Sequence, residues 1–314
     1  MNVAKKQKKK KKSQAKGADE SSLNGLFNFA PDSYLERTSR PIYAIFFLLP
    51  FIIFYEIGTI LINTNVLNQT EVRVVAFMWL REALASIGLG GKFAWVAPPI
   101  VVVAILIGLQ LSSRKKWEFD VRDVVAMTVE CVGLAVPLIV LSLFLSTPAG
   151  SQGDVPHNSG VAVTVRASES DPAAGLPCLA AEMTVYASAQ RGLLPDVVTG
   201  IGAGIYEELV FRLILICVLM IVFQDVLRLS HRSSVILSVM TSAALFSAHH
   251  HVIFLNGQLG RITDFNWTKF GFRTMAGVYF AILYAIRGFG ITAGTHAFYD
   301  IIATIINAVF FAHE

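Results

Sequence analysis

Long apolar runs alternate with short polar connections along most of the chain. Seven runs stand out, at 41–62, 93–111, 123–147, 197–223, 233–255, 270–286 and 290–312. Most reach the roughly 20 residues that a helix needs to cross about 30 Å of hydrocarbon. Residues 72–89 differ, because Arg73, Arg81 and Glu82 interrupt an otherwise apolar stretch of helical period. That pattern predicts an amphipathic helix lying in the membrane plane or partly inserted. If it crosses, the count rises to eight. The expected fold is all-α: a polytopic membrane helix bundle of seven to eight transmembrane helices.

Composition agrees. Hydrophobic residues make up 54% and charged residues 15% of the chain, whereas a soluble domain carries about 25% charge. Mean hydropathy is +0.59. A soluble two-domain reading of 314 residues is thereby excluded.

Charge changes the picture at one end. The net charge is +4, yet Lys5, Lys6, Lys8, Lys9, Lys10, Lys11, Lys12 and Lys16 contribute +8, leaving −4 for the rest. A basic tail ahead of a first span reads as a cytoplasmic, topology-setting segment touching anionic lipid rather than as a nucleic-acid binder. Further along, residues 112–122 hold Arg114, Lys115, Lys116 and Arg122, residues 224–232 hold Arg228 and Arg232, and Arg287 sits in the last short turn. Seven spans with a cytoplasmic N-terminus put all these basic connections on one side. The expected protein is integral and multi-pass, in the plasma or inner membrane if bacterial, with no nucleic acid among its partners.

Four regions follow: a lysine-rich cytoplasmic tail over 1–40, transmembrane helices over 41–147, a flexible external loop over 148–196, and a second helical region over 197–312. The loop is rich in Gly, Ala, Ser and Pro and offers little to build a core. The three cysteines, Cys131, Cys178 and Cys217, form neither a CxxC pattern nor an even disulfide set.

Ionisable residues inside membrane helices are costly and mark function by default. Segment 197–223 carries Glu207, Glu208 and Arg212; segment 233–255 carries His249, His250 and His251; the last carries His296 and Asp300. Exposing Glu207, Glu208, Arg212 and Asp300 to lipid would cost on the order of 10 kcal/mol, so they are expected to face one another inside the bundle. Glu208 and Arg212 are four apart with the acid first, the favourable ion-pair order. Glu207 lies about 100° round the helix and has no partner in its own segment, as befits a poised base or a ligand. His250 shares a face with Phe246, and Asp300 with His296. His249 and His251 point elsewhere on a continuing helix and read as interior or interfacial histidines. Counted along the segments at 1.5 Å per residue, the levels of Glu207, His250 and His296 disagree by on the order of 10 Å.

Taken together, Glu207-Glu208-x-x-x-Arg212, Phe246-x-x-x-His250 and His296-x-x-x-Asp300 occur in order on three separate membrane segments. The set resembles the CPBP family of intramembrane proteases, which includes type II CAAX-prenyl endopeptidases and bacterial Abi proteins. The resemblance covers about residues 197–312. It implies an endopeptidase, a CAAX-protease-like and metalloprotease-like hydrolase, cleaving a peptide bond of a membrane-associated protein or peptide. Glu207 would be the general base, helped by His250. His296 and Asp300 would serve the oxyanion, with Glu208, Arg212 and Phe246 in support. Many members carry Asn where this chain has Asp300. An ionised Asp cannot donate, so Asp300 is a protonated donor, an orienter of His296, or a metal ligand. The cofactor is either none or a divalent metal such as zinc, with Glu207, His250, His296 and Asp300 as candidate ligands. A proton- or ion-coupled carrier using the same Glu/His/Asp chain is the alternative, although no internal repeat or broken helix pair supports it.

Overall fold

The computed structural model describes residues 32–64, 70–89, 91, 94–146, 162–166, 182–185, 192–255, 258–261 and 265–310. Residues 1–31 of the lysine-rich tail, most of the 148–196 connection and Cys178 lie outside them. Helices α1 (Tyr34–Thr38), α2 (Pro41–Thr64), α3 (Val75–Ser86), α4 (Ala97–Ser113), α5 (Val121–Ser146), α6 (Leu193–Val226), α7 (His231–Ala248) and α8 (Trp267–Phe310) build the bundle. Four of these, α2, α5, α6 and α8, are long and apolar enough to cross a membrane. With α4, α7 and a break inside α8, each of the seven apolar segments corresponds to one helical limb.

The break in α8 is sharp. Gly288 has φ 77° and ψ −179°, backbone that is essentially confined to glycine. Across it the two limbs fold back on one another: Phe280 and His296, equidistant from Gly288 in sequence, stack with ring centroids 4.6 Å apart. An unbroken helix would hold those rings about 24 Å apart along its axis.

The amphipathic helix expected over 72–89 is α3. Its 12 residues rise about 18 Å, too little to cross, and it buries Phe77, Met78, Leu80 and Leu84 against the bundle. Strand β1 (Thr70–Val74) leads into it and pairs antiparallel with β2 (Ala162–Arg166), which pairs with β3 (Glu182–Val185). The polar 148–196 connection therefore contributes two strands to a small sheet that hydrophobic patterning alone did not reveal. A hairpin of β4 (Val252–Leu255) and β5 (Gln258–Arg261) follows α7. Segment 233–255 is thus not one helix: α7 stops at Ala248 and the three histidines lie in the turn beyond it.

The centre of the bundle is α6, flanked by α2, α7 and both limbs of α8. Small residues permit the close approach. A Cβ on Gly204 would lie 2.6 Å from the Ala297 nitrogen, and one on Gly200 would lie 2.7 Å from Cβ of Asp300. At one end of the bundle a polar collar ties α1 to its neighbours. Arg37 pairs with Asp123 at 3.0 Å, Glu36 bridges Arg40 and Lys115, and Arg287 reaches Glu130 at 2.6 Å and the Leu35 carbonyl at 2.9 Å. Large apolar side chains such as Ile57, Val129 and Ile236 stay exposed along the outer faces, as lipid contact requires.

Candidate active site

Glu207, Glu208, Arg212, Phe246, His249, His250, His296 and Asp300 are all buried and meet where α6, the end of α7 and the second limb of α8 converge. They form two linked groups around the Phe246 ring.

The first group is built around the Glu208 carboxylate. Arg212 Nε lies 3.0 Å from Oε2 of Glu208, the ion pair that the spacing of four predicts. Nδ1 of His296 lies 2.7 Å from the other oxygen, Oε1. One carboxylate thus holds both a guanidinium on its own helix and an imidazole on α8. The Arg212 guanidinium also lies over the Phe246 ring at 4.2 Å, a cation–π contact that gives the motif phenylalanine a physical task. The backbone carries a π-helical stretch over Leu209–Leu215 immediately after the two glutamates, a local widening often found at functional sites. Asp300 Oδ2 stands 3.6 Å from Nε2 of His296, beyond hydrogen-bond length.

The second group is open. Among the described residues, neither oxygen of Glu207 accepts a hydrogen bond, although the residue is fully buried. Its Oε1 faces Nε2 of His249 at 3.5 Å. His249 and His250 sit side by side, ring centroids 4.0 Å apart. Nδ1 of each lies within hydrogen-bond reach of the Phe246 carbonyl, at 2.5 Å and 2.9 Å. A carbonyl only accepts, so each ring carries a proton on Nδ1 and presents its Nε2 away from that carbonyl. Ligand atoms of Glu207, His249 and His250 lie within 4.8 Å of one another.

Every site residue named from sequence is therefore in this region, but the grouping differs. His296 and Asp300 join Glu208, while the partner of Glu207 is His249. Sequence reasoning set His249 aside because it assumed that the helix continued. Since α7 ends at Ala248, the turn instead brings His249 and His250 onto one carbonyl. Two further residues went unnoticed. Trp79 of α3 packs on His249 with ring centroids 5.8 Å apart, so α3 covers one side of the site. Arg273, on the first limb of α8, interacts electrostatically with Glu207, Tyr299 and Asp300. A lone Arg one residue after a buried Phe gave no periodic signal.

Depths counted along the apolar segments do not carry over to the structure, because α6 begins at Leu193, α7 ends at Ala248 short of His250, and Gly288 breaks α8 ahead of His296.

No curated protein and no solved structure matches the chain. Residues 190–302 match a family model described as Rce1-like, type II CAAX prenyl endopeptidase. That span contains all three motifs and the helices that carry them, so this region of the chain is similar to the type II CAAX prenyl endopeptidase family.

Proposed function

We propose that the chain is an intramembrane endopeptidase that hydrolyses a peptide bond of a membrane-associated protein or peptide with a water activated by Glu207 and His250. The observation that carries this reading is the Glu207 carboxylate: buried, without a hydrogen bond among the described residues, and facing Nε2 of His249 with His250 beside it. Burial of a carboxylate without a partner costs several kcal/mol, and a site that maintains it is arranged for an incoming group.

The chemistry balances as follows. Glu207 takes a proton from water as the oxygen bonds to the scissile carbonyl carbon, and His250 holds the same water through Nε2. Negative charge develops on the carbonyl oxygen, where His296 donates from Nε2 when both its ring nitrogens are protonated, its Nδ1 held by Glu208. Glu207 then delivers the proton to the amide nitrogen as the C–N bond breaks. A positioned base contributes roughly 10²–10⁴-fold and one oxyanion donor roughly 10²–10³-fold. Trp79 and the surrounding apolar rings keep bulk water from competing with these interactions.

The basic connections support an orientation with the N-terminus and the Gly288 turn in the cytoplasm. The family name supports a prenylated or otherwise membrane-anchored peptide as the substrate class.

The test is cleavage of a fluorogenic lipidated peptide by the purified chain in liposomes. Glu207→Gln should lower turnover by at least about 10²-fold while leaving the thermal transition in place. Near-wild-type turnover by this variant would remove Glu207 from the chemistry. Substrate-coupled ion flux in proteoliposomes without cleavage would replace the reading with a carrier.

A further inference from the structure

We infer that Glu56 is a positioning residue for the proposed reaction: its carboxylate ties the turn of α6 that carries Glu207 to the start of the helix that covers His249. The consequence for turnover rests on the protease reading, whereas the tie itself lies outside all three motifs. Glu56 is the only Asp, Glu, Lys or Arg in α2. A charged residue in a membrane span is costly enough to need a task. Here the two carboxylate oxygens serve different elements. Oε2 lies 2.9 Å from Nη1 of Arg73 on β1, and Oε1 accepts a hydrogen bond from the Tyr206 hydroxyl on α6 at 3.3 Å. Both partners are buried among aromatic rings. The Arg73 guanidinium lies over the Phe77 ring at 4.7 Å and within 5.6 Å of the Tyr55 and Trp95 rings. The Tyr206 ring meets Phe77 edge-on at 5.0 Å and Tyr55 at 5.4 Å.

Each arm of the tie ends beside the open group. Tyr206 immediately precedes Glu207, and successive helical residues point about 100° apart. Tyr206 thus faces α2 while Glu207 faces His249. An anchor on Tyr206 sets the rotation of α6 at the level where the base is mounted. Regular helical backbone does not fix that rotation alone, because the π-helical stretch begins at Leu209. A rotation of about 10° would swing a carboxylate that stands about 6 Å from the helix axis by about 1 Å, and a misplacement of that size costs about 10²-fold in rate. The second arm is Arg73, two residues ahead of Val75, where α3 begins. From there α3 sets Trp79 against His249 at 5.8 Å and against Phe211 at 6.2 Å. One carboxylate therefore registers both flanks of the Glu207–His249 contact. Packing alone needs only the Tyr206 ring; the hydroxyl adds the bond to Glu56, so its removal separates positioning from the filling of space.

The experiment has two arms. In the first, without substrate, nitroxide labels on cysteines introduced at the exposed positions Ala83 of α3 and Leu237 of α7 report the distance between these helices in the full chain, the native cysteines being replaced by alanine. Glu56→Ala should shift or broaden that distance. Glu56→Gln should restore it, because the amide carbonyl accepts from Arg73 while the amide nitrogen donates to the Tyr206 oxygen. The second arm is turnover of the lipidated peptide in liposomes. Tyr206→Phe and Glu56→Ala should lower kcat by about 10–100-fold with KM changed by less than about twofold, and Tyr206→Phe should keep its melting temperature. Glu56→Gln should return to within about threefold of wild type. Full kcat in Tyr206→Phe and Glu56→Ala, an unmoved distance in Glu56→Ala, or a loss in Glu56→Gln equal to that in Glu56→Ala would each overturn the inference. A wild-type chain that cleaves nothing, while Glu56→Ala still moves the distance, would count against the protease reading and support the tie.

Discussion

Glu208 accepts a hydrogen bond from Nδ1 of His296 at 2.7 Å, joining two helices whose motifs lie 88 residues apart in the chain. Spacing alone allowed Asp300 to orient His296, because the two share a helical face. The structure gives the hydrogen bond to Glu208 and leaves Asp300 at 3.6 Å. Two adjacent glutamates thus divide the work, one holding the scaffold and the other facing the open group.

This division makes a quantitative prediction. Glu208→Gln should cost on the order of 10–100-fold in kcat/KM, the usual cost of losing the partner that fixes a histidine ring. Asp300→Asn should cost less than about tenfold, since no hydrogen bond to His296 is lost. Turnover of both variants in the liposome assay decides between the two, and the reverse order would return the orienting role to Asp300.

Arg212→Ala should destabilise the protein by about 3–5 kcal/mol, because it strands Glu208 as a buried charge and removes the guanidinium from the Phe246 face. Arg212→Lys should recover only part of this loss. A lysine cannot reproduce a planar group that pairs with Glu208 and lies over the Phe246 ring at once. Thermal unfolding in detergent gives both values. Full stability of Arg212→Ala would refute the pairing.

Much of the site was legible because membrane helices penalise every buried charge, so each ionisable residue in an apolar run carries information. Glu207, Glu208, Arg212, His250, His296 and Asp300 were singled out that way, and the structure buries all six in one region. The seven apolar segments were legible for the same reason. His249 was not, because its contribution depends on where α7 ends, and a run of apolar residues continues past Ala248 into a β-hairpin. The sheet of β1, β2 and β3 was hidden because four- and five-residue strands in a polar connection lack the length for periodicity to register.

Acid should weaken the collar in a defined way. The carboxyl of Glu36 is pushed down to about 2, chiefly by the hydrogen bond from Arg40 and then by Lys115. A carboxylate with a lowered folded-state pKa adds stability that is fully present above its unfolded value of about 4.3 and disappears as pH falls through its folded value. Wild type should therefore melt above Glu36→Gln at pH 6, and the gap should close between about pH 4 and 2. Other carboxylates titrate in the same range, so the difference between the two proteins is the quantity to measure. A gap independent of pH would mean that the contribution of Glu36 is not ionic.

The last prediction concerns the turn that delivers His296. Gly288 holds φ 77° and ψ −179°, and a Cβ there would lie 3.2 Å from the carbonyl oxygen of Ser39. Gly288→Ala should cost at least about 1–3 kcal/mol, the usual strain of an L-residue in this region, with any shift of the chain adding to it. The shift has a functional consequence because the two limbs register on each other through the Phe280–His296 stack. Displacing one limb therefore moves His296 relative to Glu208 and should lower turnover as well as melting temperature. Gly271 supplies the comparison within the same helix: it is helical and nothing stands within 4 Å of its Cβ position. There the same substitution should be neutral or stabilise by up to about 1 kcal/mol. If Gly288→Ala melted and turned over like Gly271→Ala, the Gly288 break would not be what sets the position of His296.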